Sequence, residues 1–182
     1  MRGAPHIRPA TAEDRAFILS LVPRFVAFDL PAGRQPRTII AATRADLARA
    51  LRAPTAGEYC FVGETADGAG CGFLRLQLQR DFFSHALGCH VADLAVVLEH
   101  EGQGFGHALL DYARRWARRH RCQYLSLSVF PGNARARSLY ASAGFHADLL
   151  RLVRPLSPCA RAGRNPAPRP DVQGTAQRPP PR

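Results

Sequence analysis

The stretch Glu101-Gly102-Gln103-Gly104-Phe105-Gly106 sets the tightest limit on what this chain can fold into. It follows the apolar run Val91-Ala92-Asp93-Leu94-Ala95-Val96-Val97, which reads as a strand, and opens a segment from His107 to Arg121 that reads as a helix. Glycines let the backbone take positive φ and approach a ligand closely. The first turn of a helix carries unpaired N–H groups and the positive end of the dipole. Strand, glycine loop and helix N-terminus together make an anion cradle, and its natural ligand is a pyrophosphate.

With 182 residues, 46% of them apolar, the chain fits one enzyme-sized domain. No run approaches the roughly 18 to 20 continuous apolar residues of a membrane span. The start Met1-Arg2-Gly3-Ala4-Pro5-His6 lacks the apolar stretch of a signal peptide, so the expectation is a cytoplasmic protein without a membrane partner. Cys60, Cys71, Cys89, Cys122 and Cys159 are odd in number and lack C-x-x-C spacing. They read as reduced and mostly buried, with no metal site. The formal net charge of +11 is carried by arginine alone, and the residues after Val153 hold six arginines against Asp171. Almost half the surplus therefore falls in a tail, which argues against a nucleic-acid partner for the folded part.

Along the chain, Ile7-Arg8-Pro9-Ala10 reads as a first strand. Thr11 with Glu13 and Asp14 starts a helix that carries Phe17, Ile18, Leu21 and Val22 on one face and ends or kinks at Pro23. A loop-rich connection is expected from Phe25 to Arg37, then a second helix capped by Thr43, running through Leu47 and Leu51 and closed by Pro54. Tyr59 to Glu64 and Gly72 to Gln79 read as a hairpin around the turn-rich Thr65 to Gly70. The helix from His107 places Leu109, Leu110, Ala113, Trp116 and Ala117 on one stripe. Tyr124 to Phe130 is the next strand, followed by a helix from Asn133 to about Ala143 with Gly144 as its stop. Leu149 to Val153 should close the sheet. The domain is expected over residues 1–155, with a disordered proline- and arginine-rich tail over 156–182.

The order strand, Gly104-x-Gly106, helix, strand, then Asn133-Ala134-Arg135-Ala136-Arg137-Ser138-Leu139-Tyr140 and Gly144-Phe145 resembles the GNAT superfamily of acyl-CoA-dependent N-acetyltransferases. The resemblance covers about residues 6 to 155. It implies an α/β fold of α+β type: a mixed, mostly antiparallel sheet flanked by helices and splayed between its fourth and fifth main strands, with acetyl-CoA wedged in the gap. It also implies that the backbone of Leu94 and Val96 meets the pantetheine arm. The pyrophosphate would sit on the loop formed by Glu101, Gly102, Gln103, Gly104, Phe105 and Gly106. Asn133 is either a pantetheine contact or a plain helix cap.

By the same resemblance, the Leu94 N–H is an oxyanion donor and Tyr140 the proton source for the leaving thiolate, the alternative for Tyr140 being a packed aromatic. The base stays open. His90 stands where relatives place a base or a proton relay, and Asp93 at a position that attracts the amine in some of them. Period-two geometry puts His90, Ala92 and Leu94 on one face and Val91, Asp93 and Ala95 on the other. Cys89 and His90 should point to opposite faces, which disfavours a Cys–His nucleophile. Glu101 departs from the family's usual Gln or Arg, so its side chain should turn away from the pyrophosphate or cap the loop from outside, with Arg135 or Arg137 offsetting its charge.

The implied activity is transfer of an acetyl group from acetyl-CoA to a primary amine by direct attack. The acceptor is a small-molecule amine or a protein amino group, and a homodimer is left open. Two other readings stand beside it: a non-catalytic CoA-binding regulatory module, and a basic nucleic-acid-associated protein. The acceptor cleft would be built from residues 23–37 and 80–88, with Phe82 and Phe83 as candidate lining, and a cationic acceptor would suit Asp93 and Asp81.

Overall fold

Apolar side chains on both faces of one sheet decide which segments become helices and where they lie. The structure is a computed structural model and describes residues 5–154 and 156. The tail expected over 156–182 lies, Leu156 apart, outside the described residues, as does Cys159. Strands β1 (His6–Pro9), β2 (Glu58–Glu64), β3 (Gly70–Arg80), β4 (Leu87–Val96) and β5 (Tyr124–Leu127) lie side by side in that order. Neighbours are antiparallel except β4 and β5, which are parallel. Helices α1 (Arg15–Ser20) and α2 (Pro36–Arg52) connect β1 to β2, α3 (Phe105–Arg119) crosses from β4 to β5, and α4 (Ala134–Ser142) follows β5. Only the parallel pair needs a crossover helix; the hairpins join β2 to β3 and β3 to β4 directly.

On one face, Phe61, Leu74, Leu76, Cys89 and Val91 pack against the stripe Leu109, Leu110, Ala113, Trp116 and Ala117 of α3. On the other, Val62, Phe73 and Ala95 meet Ile18, Leu19, Leu21, Val22 and Leu47 from α1 and α2. The α3 stripe is the one its 3.6-residue periodicity predicts. The central strand is buried on both sides from Cys71 to Leu76, covered by α3 on one face and by α1 and α2 on the other. Arg8 ties the start of the chain to the sheet, donating to Asp14 at 2.7 Å and to Glu64 at 2.6 Å.

Several expected boundaries move. The second helix begins at Pro36, not at Thr43, because proline fits the first helical turn, where its missing N–H is no loss. Pro23 lies inside a short 3-10 turn, Val22–Val26, which leaves only 27–35 as irregular connection. β5 ends at Leu127 rather than Phe130. Leu149 to Val153 is not a strand: Leu149, Leu150, Leu152 and Val153 are exposed. A strand exists only where its backbone groups find partners, and apolar content alone supplies none.

Candidate active site

Hydrogen-bonded pairing of β4 with β5 runs only from Gly88–Tyr124 to Val91–Leu127. Beyond it β4 continues to Val96 while the chain after Leu127 leaves the sheet. The parting coincides with a bulge. Arg75 of β3 lies opposite Asp93 and Leu76 opposite Val91, so Ala92 is an extra residue in β4. Bulges kink a strand and sharpen its twist, which turns β4 away where pairing stops. The result is a cleft of about 810 Å³, within the ~300–1,000 Å³ usual for small-molecule sites. Ala92 to Val96 form one wall, Ser128 to Phe130 with α4 the other, and loop 101–106 lies at its rim.

The bulge overturns the expected facing of the β4 residues. Arg75 and Gln77 are two apart on β3 and share a face; Asp93 lies opposite the first and His90 opposite the second. His90 and Asp93 therefore stand on the same face, while Val91 and Leu94 both pack toward α3. Asp93 is 8% exposed, and Arg75 Nε donates to it at 2.6 Å. Burial pushes the Asp93 carboxyl up, with Arg75 pulling the other way. Arg75 also reaches Asp46 at 2.6 Å and Glu58 at 3.5 Å, so Asp93 belongs to a charge network under α2 as well as to the cleft wall.

His90 lies just before the stretch of β4 that lines the cleft, with its Nδ1 2.9 Å from Ser126 Oγ on β5. Burial lowers its pKa, the Asp93 charge raising it in part. Cys89, on the opposite face, has its thiol pushed up to about 12 by burial, which leaves no thiolate at neutral pH and no Cys–His pair. Across the cleft, Tyr140 is half-buried with its ring edge-on to Phe145 at 6.0 Å, and burial raises its phenol. Asn133 Oδ1 accepts from the Ala136 N–H at 3.1 Å, capping α4, and its side-chain amide N–H groups remain unused among the described residues. Leu94 and Val96 lie in the part of β4 that has no partner on the β5 side.

Gly102 and Gly104 have φ of 72° and 85°, a region side chains avoid, so glycine is demanded by conformation at both places. Gly106 lies close under α4, where a Cβ would sit 2.9 Å from a terminal methyl of Leu139 and make that side chain shift. No side chain caps α3, which leaves its first N–H groups facing the rim. Phe105 is buried and stacks on His100 at 4.9 Å, and Gln103 folds back to donate to the Glu99 carbonyl at 2.6 Å. His100, which lines the cleft, has a buried Nδ1 with no hydrogen-bond partner. Open N–H groups, left-handed glycines and this orphaned nitrogen fit an anionic group on the loop.

Glu101 accepts from Arg135 of α4, as expected, and also from Arg24, which nothing in the sequence singled out. Arg137 turns instead to the Pro131 carbonyl at 3.3 Å. Phe82 and Phe83 are 84% and 75% exposed and do not line the cleft, and Asp81 is held by Ser84 in its own turn at 2.7 Å. Phe28 reaches Phe130 at 6.0 Å, bringing segment 27–35 over the far end of the cleft.

A profile of the acetyltransferase (GNAT) family matches residues 29–145. The chain belongs to this family. Among solved structures, the GNAT chain is similar to a Pyrococcus furiosus protein named provisionally as an acetyl transferase, with 21% identity and a TM-score of 0.67 over 84% of this chain and 99% of that one. A ribosomal-protein-alanine N-acetyltransferase from Brucella melitensis biovar Abortus 2308 matches with 18% identity and a TM-score of 0.62 over 84% and 99%. AAC(6')-Iy, solved with the bisubstrate analogue CoA-S-monomethyl-acetylneamine, matches with 16% identity and a TM-score of 0.62 over 84% and 99%. At these identities the likeness is one of fold. Among the described residues of this GNAT chain, no helix is long and apolar enough to cross a membrane, and no His, Cys, Asp and Glu side chains cluster as a metal site would require.

Proposed function

We propose that this chain transfers an acetyl group from acetyl-CoA to a primary amine by direct attack in a ternary complex. The observation that carries the reading is the parting of β4 from β5 beside a left-handed glycine loop at an uncapped helix N-terminus. A pantetheine arm fits the unpaired stretch of β4, where Leu94 and Val96 offer backbone groups, with Asn133 donating from its free amide. The N–H groups of 102–106 receive the pyrophosphate. Bound acetyl-CoA supplies the thioester.

The chain's residues then divide the proton work. The Leu94 N–H donates to the carbonyl oxygen as charge develops there. Tyr140 Oη gives a proton to the departing sulfur, and its raised pKa keeps it protonated at neutral pH. His90, kept neutral by burial, accepts the amine proton through water, with Ser126 fixing the ring. Asp93 adds negative potential on the same face, favouring the arriving ammonium.

Tyr140→Phe tests the division. It is expected to lower kcat by about 10²-fold with the KM for acetyl-CoA unchanged, as loss of a general acid implies. An unchanged kcat contradicts the role.

A further inference from the structure

We propose that Arg24 and Arg135 form a phosphate-binding pair for the cofactor, and that Glu101 holds them in readiness and releases them when a phosphate arrives. The inference rests on the proposed function's phosphate-bearing cofactor and adds side chains to what the loop backbone provides.

Arg24 Nη2 donates to one oxygen of Glu101 and Arg135 Nη1 to the other, so a single carboxylate is shared by two guanidinium groups. All three residues line the cleft, as do Gly102 and Gly104. Glu101 is 14% exposed, and neither arginine has a second carboxylate partner among the described residues. The cluster thus carries one positive charge in excess, next to the positive end of α3. A phosphate offers three acceptor oxygens and up to two charges, and the planar guanidinium fork matches phosphate geometry better than half a carboxylate does.

The two arginines come from separate elements that line the cleft. Arg24 sits in the turn Val22–Val26, one residue before Phe25, and Arg135 in the first turn of α4. Exchanging Glu101 for a phosphate would draw the turn Val22–Val26 and the start of α4 onto the cofactor. The carboxylate at the first loop position, uncomfortable beside a pyrophosphate, becomes intelligible as the internal anion that keeps two long side chains in place before binding. It also keeps them from other anions.

The test compares acetyl-CoA with S-acetylpantetheine, which carries the same thioester arm without phosphates, using the full chain with and without Arg24→Ala and Arg135→Ala. Each substitution is expected to raise the ratio of the KM for acetyl-CoA to that for S-acetylpantetheine about tenfold, the loss of one charge-assisted pair. Arg24→Lys should recover part of it. The salt dependence of kcat/KM for acetyl-CoA should weaken in both alanine variants. Equal effects on both thioesters, or none, overturn the proposal. If the wild type turns over neither thioester, the proposed function fails instead. Calorimetric titration with CoA then tests the pair alone, about tenfold weaker binding in the variants supporting it and unchanged binding overturning it.

Discussion

His90 and Asp93 share one face of β4 although they are three residues apart, because Ala92 is bulged out between them. Strict alternation would have set them on opposite sides. The bulge therefore does two things at once: it ends the pairing with β5 that would close the cleft, and it brings an imidazole and a carboxylate to the same side of the sheet.

Burial of His90 sets the pH behaviour of the proposed reaction, against the pull of the nearby Asp93 charge. Burial lowers the His90 pKa, so the ring stays neutral to lower pH than an ordinary histidine. The acid limb of kcat/KM is expected below about 6.5, the unperturbed value. His90→Gln should abolish that limb and lower the rate about 10²-fold. A limb above the ordinary value, or one that survives the substitution, contradicts the base assignment.

Asp93→Asn acts on stability before it acts on catalysis. Removing one partner of a buried pair leaves the other charge uncompensated, and Arg75 is 6% exposed. Asp46 and Glu58 still face Arg75. The loss is therefore expected at the lower end of the range for such pairs, about 3 kcal/mol. Thermal denaturation should show it as a fall of about 6–12 °C in Tm. A Tm within a degree of wild type would mean that the pair contributes nothing.

Asp14 makes the fold acid-sensitive. Hydrogen bonds from Arg8 hold its carboxyl down at about 2, below the unfolded value. Because the folded pKa is the lower one, its stabilisation is whole above about pH 4 and disappears as pH falls through about 2. A Tm series from about pH 5 to about pH 2 should fall less steeply for Asp14→Asn than for wild type. Parallel slopes would show that the Arg8 network is not what acid breaks.

Gly132 lets segment 27–35 close on the cleft, since a Cβ there would lie 2.1 Å from the Asp29 carbonyl oxygen. Gly132→Ala must push that segment away. Steady-state kinetics should show the KM for the amine rising several-fold, roughly 3–10 times, with the KM for acetyl-CoA little changed. The opposite split would place the segment on the cofactor side.

Legibility in the sequence followed the strength of local periodicity. The α3 stripe was readable because five apolar residues repeat at helical spacing, and the glycine loop because positive φ leaves few other residues for its turns. The Thr43 start failed because Pro36 fell within the stretch read as loop, Phe25 to Arg37, whereas it opens the helix. Leu149 to Val153 failed because a strand depends on a distant partner, which no local pattern reports. The facing of His90 and Asp93 was invisible for a related reason: a bulge is a property of the β3–β4 register and not of β4 alone. Arg24 gave no signal at all, one arginine among 25 that meets Glu101 from 77 residues away.

A thiol-release assay with acetyl-CoA and a panel of amines tests the central claim most directly. The panel should span amino acids, polyamines, aminoglycosides and peptides with free N-termini or lysines. CoA release is expected to depend on one class of amine, with acetylated amine formed in equal amount and the rate strongly reduced in Tyr140→Phe. No release with any amine at high enzyme concentration would contradict it.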